Sequence, residues 1–101
     1  MAELAGLRAL IVEDEGSVAF LIEDMLERLG CEIASSAATL AAALNAARED
    51  TFDFAVLDVN LNGQLVFPVA EVLQHRQLPF VFSTGYGRIG VPSTFKDYEV
   101  L

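Results

Sequence analysis

Two observations predict an α/β fold built on a doubly wound parallel sheet. Short apolar runs alternate along the chain with longer stretches of helical period. The runs are almost uninterrupted, as strands covered on both faces are, rather than alternating between apolar and polar. Crossovers in such sheets are right-handed, and ligands bind outside the carboxyl ends of the strands where the strand order reverses. The residues just past each run therefore bear on function. Leu7-Arg8-Ala9-Leu10-Ile11-Val12 runs into Glu13-Asp14, Phe54-Ala55-Val56-Leu57 into Asp58, and Phe80-Val81-Phe82 into Ser83-Thr84-Gly85.

The elements come in order. Residues 7–12, broken only by Arg8, form the first strand. Residues 16–29 place Val18, Leu21, Ile22, Met25 and Leu29 at helical spacing, with Glu23, Asp24, Glu27 and Arg28 on the other side. Gly30 stands where a helix C-terminal glycine belongs. Residues 31–35 read as a second, short strand. Residues 39–48 form an alanine-rich helix with Leu40, Ala43, Leu44 and Ala47 on one face. Residues 53–59 form the third strand, and Asn62-Gly63 marks a turn. Pro68 suits the first turn of a helix running to about Gln77, which Leu78-Pro79 breaks, and residues 80–83 form the fourth strand. Beyond Thr84, Gly85, Gly87, Gly90 and Pro92 punctuate a stretch expected to be loop, and Tyr98–Leu101 is expected to begin a fifth strand.

The 101 residues suffice for one domain, spanning 1–101, and 53% apolar content supports a core. Fifteen acids against six bases give a formal charge of −9, which disfavours nucleic acid and anionic membranes as partners. The single Cys31 cannot form an internal disulfide and reads as a small buried hydrophobe. Residues 1–6 lack the features of a signal peptide, and no apolar run approaches a membrane span, so a soluble cytoplasmic protein is expected.

If the acid-tipped runs are neighbouring parallel strands, Glu13, Asp14 and Asp58 meet at one rim. Three carboxylates there would repel one another and raise at least one pKa unless a cation lies between them. A magnesium ion takes about six oxygens and uses one or two protein carboxylates. Asp14 and Asp58 suit direct ligation, Glu13 suits a metal-bound water, and a backbone carbonyl just after Asp58, such as that of Asn60, suits a further position. An aspartate is also a nucleophile for phosphoryl transfer. Thr84 at the next strand end is placed to hydrogen-bond a phosphoryl oxygen. Taken singly, each residue has a plainer reading: Asp14 or Glu15 as a helix cap, Asp58 and Thr84 as turn residues. Their combination at successive strand ends favours the chemical one.

Leu10-Ile11-Val12-Glu13-Asp14-Glu15, Ala55-Val56-Leu57-Asp58-Val59-Asn60-Leu61 and Phe82-Ser83-Thr84-Gly85 together resemble a response-regulator receiver domain, the phosphoacceptor module of two-component signalling. The Phe-Ser-Thr-Gly run also resembles the Phe-Ala-Thr-Gly form of some single-domain receivers of α-proteobacteria. The resemblance implies a flavodoxin-like sheet of order 2-1-3-4(-5), a topology for which the chemotaxis receiver is a standard example. It implies that Asp58 is phosphorylated by a histidine kinase or phosphotransfer protein. It implies that Glu13, Asp14, Asp58 and the backbone carbonyl of Asn60 hold Mg²⁺, and that Thr84 is the switch hydroxyl. Asn60 and Tyr86 fall where receivers tune the loss of the phosphoryl group. Such a module is a regulatory domain rather than an enzyme, assisting only its own phosphorylation and dephosphorylation, and acts through contact with a downstream protein.

Receivers also carry a lysine followed by proline at the end of the fifth strand. No Lys-Pro occurs here, and Lys96 lies before the expected fifth strand. The last strand and helix are thus expected to be incomplete or missing, through truncation or a naturally short form. The fourth strand would then be a sheet edge open to pairing with a second copy. A non-switching interaction module of the same fold is the alternative. A phosphatase with an aspartate nucleophile would need an acid two residues on, where Asn60 stands. Gly85-Tyr86-Gly87-Arg88-Ile89-Gly90 matches a dinucleotide motif literally, but Val91-Pro92 argues against the helix that motif requires. His75 has no second histidine or nearby cysteine with which to bind a transition metal.

Overall fold

A computed structural model describes residues 4–83. The elements are β1 (Arg8–Val12), α1 (Gly16–Arg28), β2 (Glu32–Ala37), α2 (Leu40–Glu49), β3 (Phe54–Leu57), β4 (Asn60–Leu61), β5 (Gln64–Leu65), α3 (Phe67–His75) and β6 (Phe80–Phe82). Strands β2-β1-β3-β6 form one sheet in that order, and every pairing in it is parallel. This is the flavodoxin-like order 2-1-3-4 of the four main strands. The expected fifth strand, the loop after Thr84, Thr84 and Tyr86 themselves, and Lys96 lie outside the described residues.

Alternation along the strands divides the core into two layers. Leu10 and Val12 of β1, Ala55 and Leu57 of β3, and Phe80 and Phe82 of β6 pack with α2 and α3 through Ala43, Ala47, Val69 and Leu73. Ala9, Ile11 and Val56 face the other way, onto Ile22 and Leu26 of α1. Because both faces are covered there, β3, β6 and β1 beyond Arg8 are continuously apolar, while the edge strand β2 carries Glu32, Ser35 and Ser36.

Helix α1 meets the sheet through a different stripe from the one its spacing suggests. Ala19, Ile22 and Leu26 are buried, whereas Leu21 is 64% and Met25 47% exposed, and Phe20 beside them is 66% exposed. The apolar arc, from Leu21 and Met25 through Val18, Ile22 and Leu26 to Ala19, is wider than the stripe that docks, so periodicity alone leaves the contact line open. The face that docks carries Ala19, small enough to let the backbone approach the sheet. Glu15 occupies the N-cap with no side-chain cap bond, so neither acid before this helix caps it through its side chain.

The other boundaries shift slightly. Strand β2 continues to Ala37, and α3 ends at His75 instead of Gln77, which takes φ +60 as the chain turns toward Leu78-Pro79. The third strand stops at Leu57 rather than residue 59. Asn62-Gly63 closes a tight antiparallel hairpin, β4–β5, with φ of +52 and +87, the double positive that favours Asn-Gly. Buried Val59, Leu61 and Val66 anchor this hairpin on the core.

Candidate functional site

One rim of the sheet is assembled by three matching backbone hydrogen bonds. The first residue past each strand donates its N–H to the last carbonyl of the neighbouring strand: Glu13 to Ala37 at 3.0 Å, Asp58 to Val12 at 2.8 Å, and Ser83 to Leu57 at 2.8 Å. The parallel ladders therefore continue one step beyond the strands. They bring Glu13 and Asp58 side by side at the carboxyl edge, with Ser83 next in line.

Glu13, Asp14 and Asp58 each present a carboxylate oxygen within 4.8 Å of the others. Glu13 is only 6% exposed, while Asp14 and Asp58 are half-buried. Local hydrogen bonds hold the three in place. Glu13 Oε2 accepts from the Glu15 N–H at 3.1 Å, and Asp58 Oδ1 from the Asn60 N–H at 3.4 Å. Asp14 Oδ2 accepts from the Asn62 N–H at 2.9 Å, which ties the turn of the β4–β5 hairpin to the loop after β1. That last contact has no mark in the sequence, where Asn62-Gly63 signals only a turn. Its backbone proves to position a site residue 48 places earlier.

Electrostatics single out the pair at the centre. Burial pushes the Glu13 carboxyl up to about 7 from an ordinary 4.5, with the Asp58 charge and hydrogen bonding to Asp14 and Asp58 adding to the rise against the Glu15 N–H. Asp58 is also raised, first by burial and then by the charge of Asp14, while the hydrogen bond from Glu13 and the Asn60 N–H oppose the shift. The expected repulsion is present, but loss of water is the larger cause for both.

Asn60 contributes in two directions. Val59 and Val66 form a hydrogen-bonded pair of the hairpin, with the Val66 N–H donating to the Val59 carbonyl at 2.9 Å. The next pair, Asn60 and Leu65, is then a non-hydrogen-bonded one, so the Asn60 backbone polar groups turn away from β5 and toward the Asp58 side. The Asn60 side chain is committed elsewhere: Oδ1 accepts from the Gly63 N–H at 2.6 Å and braces the turn.

The donor set suits a hard divalent cation. It is all oxygen and carboxylate-rich, and two of its acids are held at a cost in desolvation that a cation would offset.

The response regulator receiver domain model matches residues 9–97. The chain belongs to that family. It is 32% identical over 87 residues to the two-component response regulator ARR14 of Arabidopsis thaliana, a match covering 83% of this chain and 23% of the plant protein. The chain thus spans about a quarter of that relative. Among solved structures it resembles SdrG from Sphingomonas melonis Fr1, with a TM-score of 0.84 and 43% identity over 95% of this chain and 82% of that one. The BeF3-activated conformation of SdrG, from Pseudomonas melonis Fr1, gives a TM-score of 0.78 and 44% identity over 96% and 83% of the two chains. As a receiver, the chain has its acidic cluster at the carboxyl rim of β1 and β3. Among the described residues no helix is long and apolar enough to cross a membrane.

Proposed function

We propose that residues 1–101 form one receiver domain in which Asp58 accepts a phosphoryl group from a histidine kinase or phosphotransfer protein. The observation that carries this reading is the meeting of the Glu13, Asp14 and Asp58 carboxylates within 4.8 Å at the ligand-binding end of a parallel sheet. The 44% identity to a relative with a BeF3-activated conformation supports it.

Asp58 is the nucleophile. One of its oxygens forms the new bond to phosphorus as the bond from phosphorus to the donor imidazole nitrogen breaks, leaving that nitrogen with the electron pair. Asp14, Asp58 and the backbone carbonyl of Asn60 would hold Mg²⁺, with Glu13 beside them to accept a hydrogen bond from its hydration shell. The ion supplies charge neutralisation for the transferring group when bound. Glu13, 6% exposed, forms the buried side of the cluster. The Asp58 N–H bond to the Val12 carbonyl anchors the backbone that carries the nucleophile. Thr84 is the switch hydroxyl, and Asn60 and Tyr86 set how long the phosphoryl group persists. Because the Asn60 side chain braces Gly63, its influence passes through the turn that positions Asp14. Output is by contact with a downstream protein in the cytoplasm. Nucleic acid and membranes are not partners, and the chain is open to pairing with a second copy. The domain is regulatory and turns over no external substrate.

Acetyl phosphate with Mg²⁺ tests the reading on phosphate-affinity gels. The wild type shifts, and Asp58→Ala does not. No wild-type shift would instead favour a non-switching interaction module, and an undiminished shift in Asp58→Ala would remove Asp58 as the acceptor.

A further inference from the structure

We infer that the groove between α2 and α3 docks an acidic amphipathic helix of a partner protein. The groove encloses about 560 Å³. Its apolar walls are Leu44 of α2 and Pro68 and Val72 of α3, and its basic border is Arg48, His75 and Arg76. The cleft is long rather than round. Leu44 and Arg48 stand one turn apart on α2, while Pro68, Val72 and His75 succeed one another down α3. That run spans about two helical turns, roughly 10 Å, which matches the ridge of a third helix laid along the groove.

Charge decides what kind of helix. The chain carries fifteen acids and six bases, yet the groove gathers two arginines and the sole histidine against one acid, Glu71. Elsewhere among the described residues the arginines are occupied: Arg8 donates to the Thr51 carbonyl at 2.8 Å, and Arg28 pairs with Asp24 at 3.0 Å. Arg76 donates to the Ala47 and Asp50 carbonyls, and its guanidinium lies 5.4 Å from the centre of the Phe52 ring. Those contacts fix its position on the border. The Arg48 and His75 side chains make no hydrogen bond or ion pair with a described residue. Cations at the last turns of α2 and α3 are favoured by the helix dipoles, which accounts for their place on the helices. It does not account for an apolar cleft between them in so acidic a protein. A helix with apolar anchors and carboxylates one and two turns along complements both features, and an acidic one is the sign this surface discriminates for.

The groove runs from Pro68 in the first turn of α3 to Arg48 and His75 in the last turns of α2 and α3, and none of Glu13, Asp14 and Asp58 lines it, so docking there needs no phosphorylated Asp58. The test uses the whole unphosphorylated chain and two fluorescein-labelled helical peptides. They share leucines at helical spacing and carry either glutamate or lysine at the remaining positions. Fluorescence anisotropy is expected to favour the glutamate peptide by at least roughly tenfold, and Arg48→Glu to weaken it by about as much. Amide shifts on titration are expected around Leu44, Val72 and His75, and a preserved spectrum of Arg48→Glu shows that this exposed substitution leaves the fold intact. Phe20→Ser on α1 should change nothing. Equal binding of the two peptides, shifts centred on Phe20–Met25, or displacement by millimolar inorganic phosphate alone would each overturn the proposal.

Discussion

Glu13 is a carboxylic acid held where water scarcely reaches, and its proton makes the fold sensitive to pH. Its ordinary pKa is 4.5 and in the folded chain it is about 7, so between those values the folded state holds a proton that the unfolded chain has lost. Stability from this group is complete below about 4.5 and falls as pH rises through 7. Thermal unfolding of the metal-free protein is expected to show a falling midpoint across that window, and Glu13→Gln to flatten the fall. A midpoint that rises over the same range would show that the cluster is not strained. The acidic identity of the site is readable in the sequence, since Glu13, Asp14 and Asp58 each come after an apolar run. The degree to which Glu13 is buried is not, because it depends on the bond from Glu13 N–H to Ala37, a strand end fixed only by the sheet register.

At the level of elements, α1 shows where periodicity stops being informative. Leu21, Met25, Val18, Ile22, Leu26 and Ala19 form an apolar arc wider than the line of contact, so the buried stripe through Ala19, Ile22 and Leu26, at one edge of that arc, is chosen by the sheet beneath it. Two substitutions separate the alternatives in denaturant unfolding. Ile22→Ala should cost about 2–4 kcal/mol by leaving a cavity. Leu21→Ser should stay within about 0.5 kcal/mol, as exposed positions do. Comparable losses at both would restore the stripe suggested by spacing. The β4–β5 hairpin gives the opposite lesson. Its Asn62-Gly63 turn is plain in the sequence, but its role in holding Asp14 is not, because that contact joins segments far apart in the chain. The alanine face of α2 transfers almost unchanged: Ala43 and Ala47 are buried, and Leu40 and Leu44 pack at the margin.

Across the whole molecule, one parallel sheet with helices on both faces explains why β1, β3 and β6 are almost continuously apolar, unlike the edge strand β2, and why the chemistry gathers at a single rim. Phe82 locks the far strand to this arrangement. It is fully buried and meets Phe80 and Phe67 edge-to-face at centroid distances of 5.5 and 5.8 Å. Phe82→Ala should destabilise the domain by about 3–5 kcal/mol, a large share of the stability of a chain this size. An unfolding midpoint close to wild type would show that β6 contributes little to the sheet. The alternation of strands and helices was legible because each apolar run is short, separated by a helix and ended by a polar residue, whereas the strand order came only with the resemblance to receivers. The separation of the core into two layers was legible only in part, since a run buried on both faces carries no mark of which residue points where.

The most direct test is to locate the phosphoryl group itself. After incubation with acetyl phosphate and Mg²⁺, borohydride reduction converts an aspartyl phosphate to homoserine, which peptide mass mapping assigns to one residue. Conversion is expected at Asp58, lost when Mg²⁺ is removed by chelation and sharply reduced in Asp14→Asn. Conversion at another acid, or conversion at Asp58 that is indifferent to Mg²⁺ and to Asp14, would contradict that expectation.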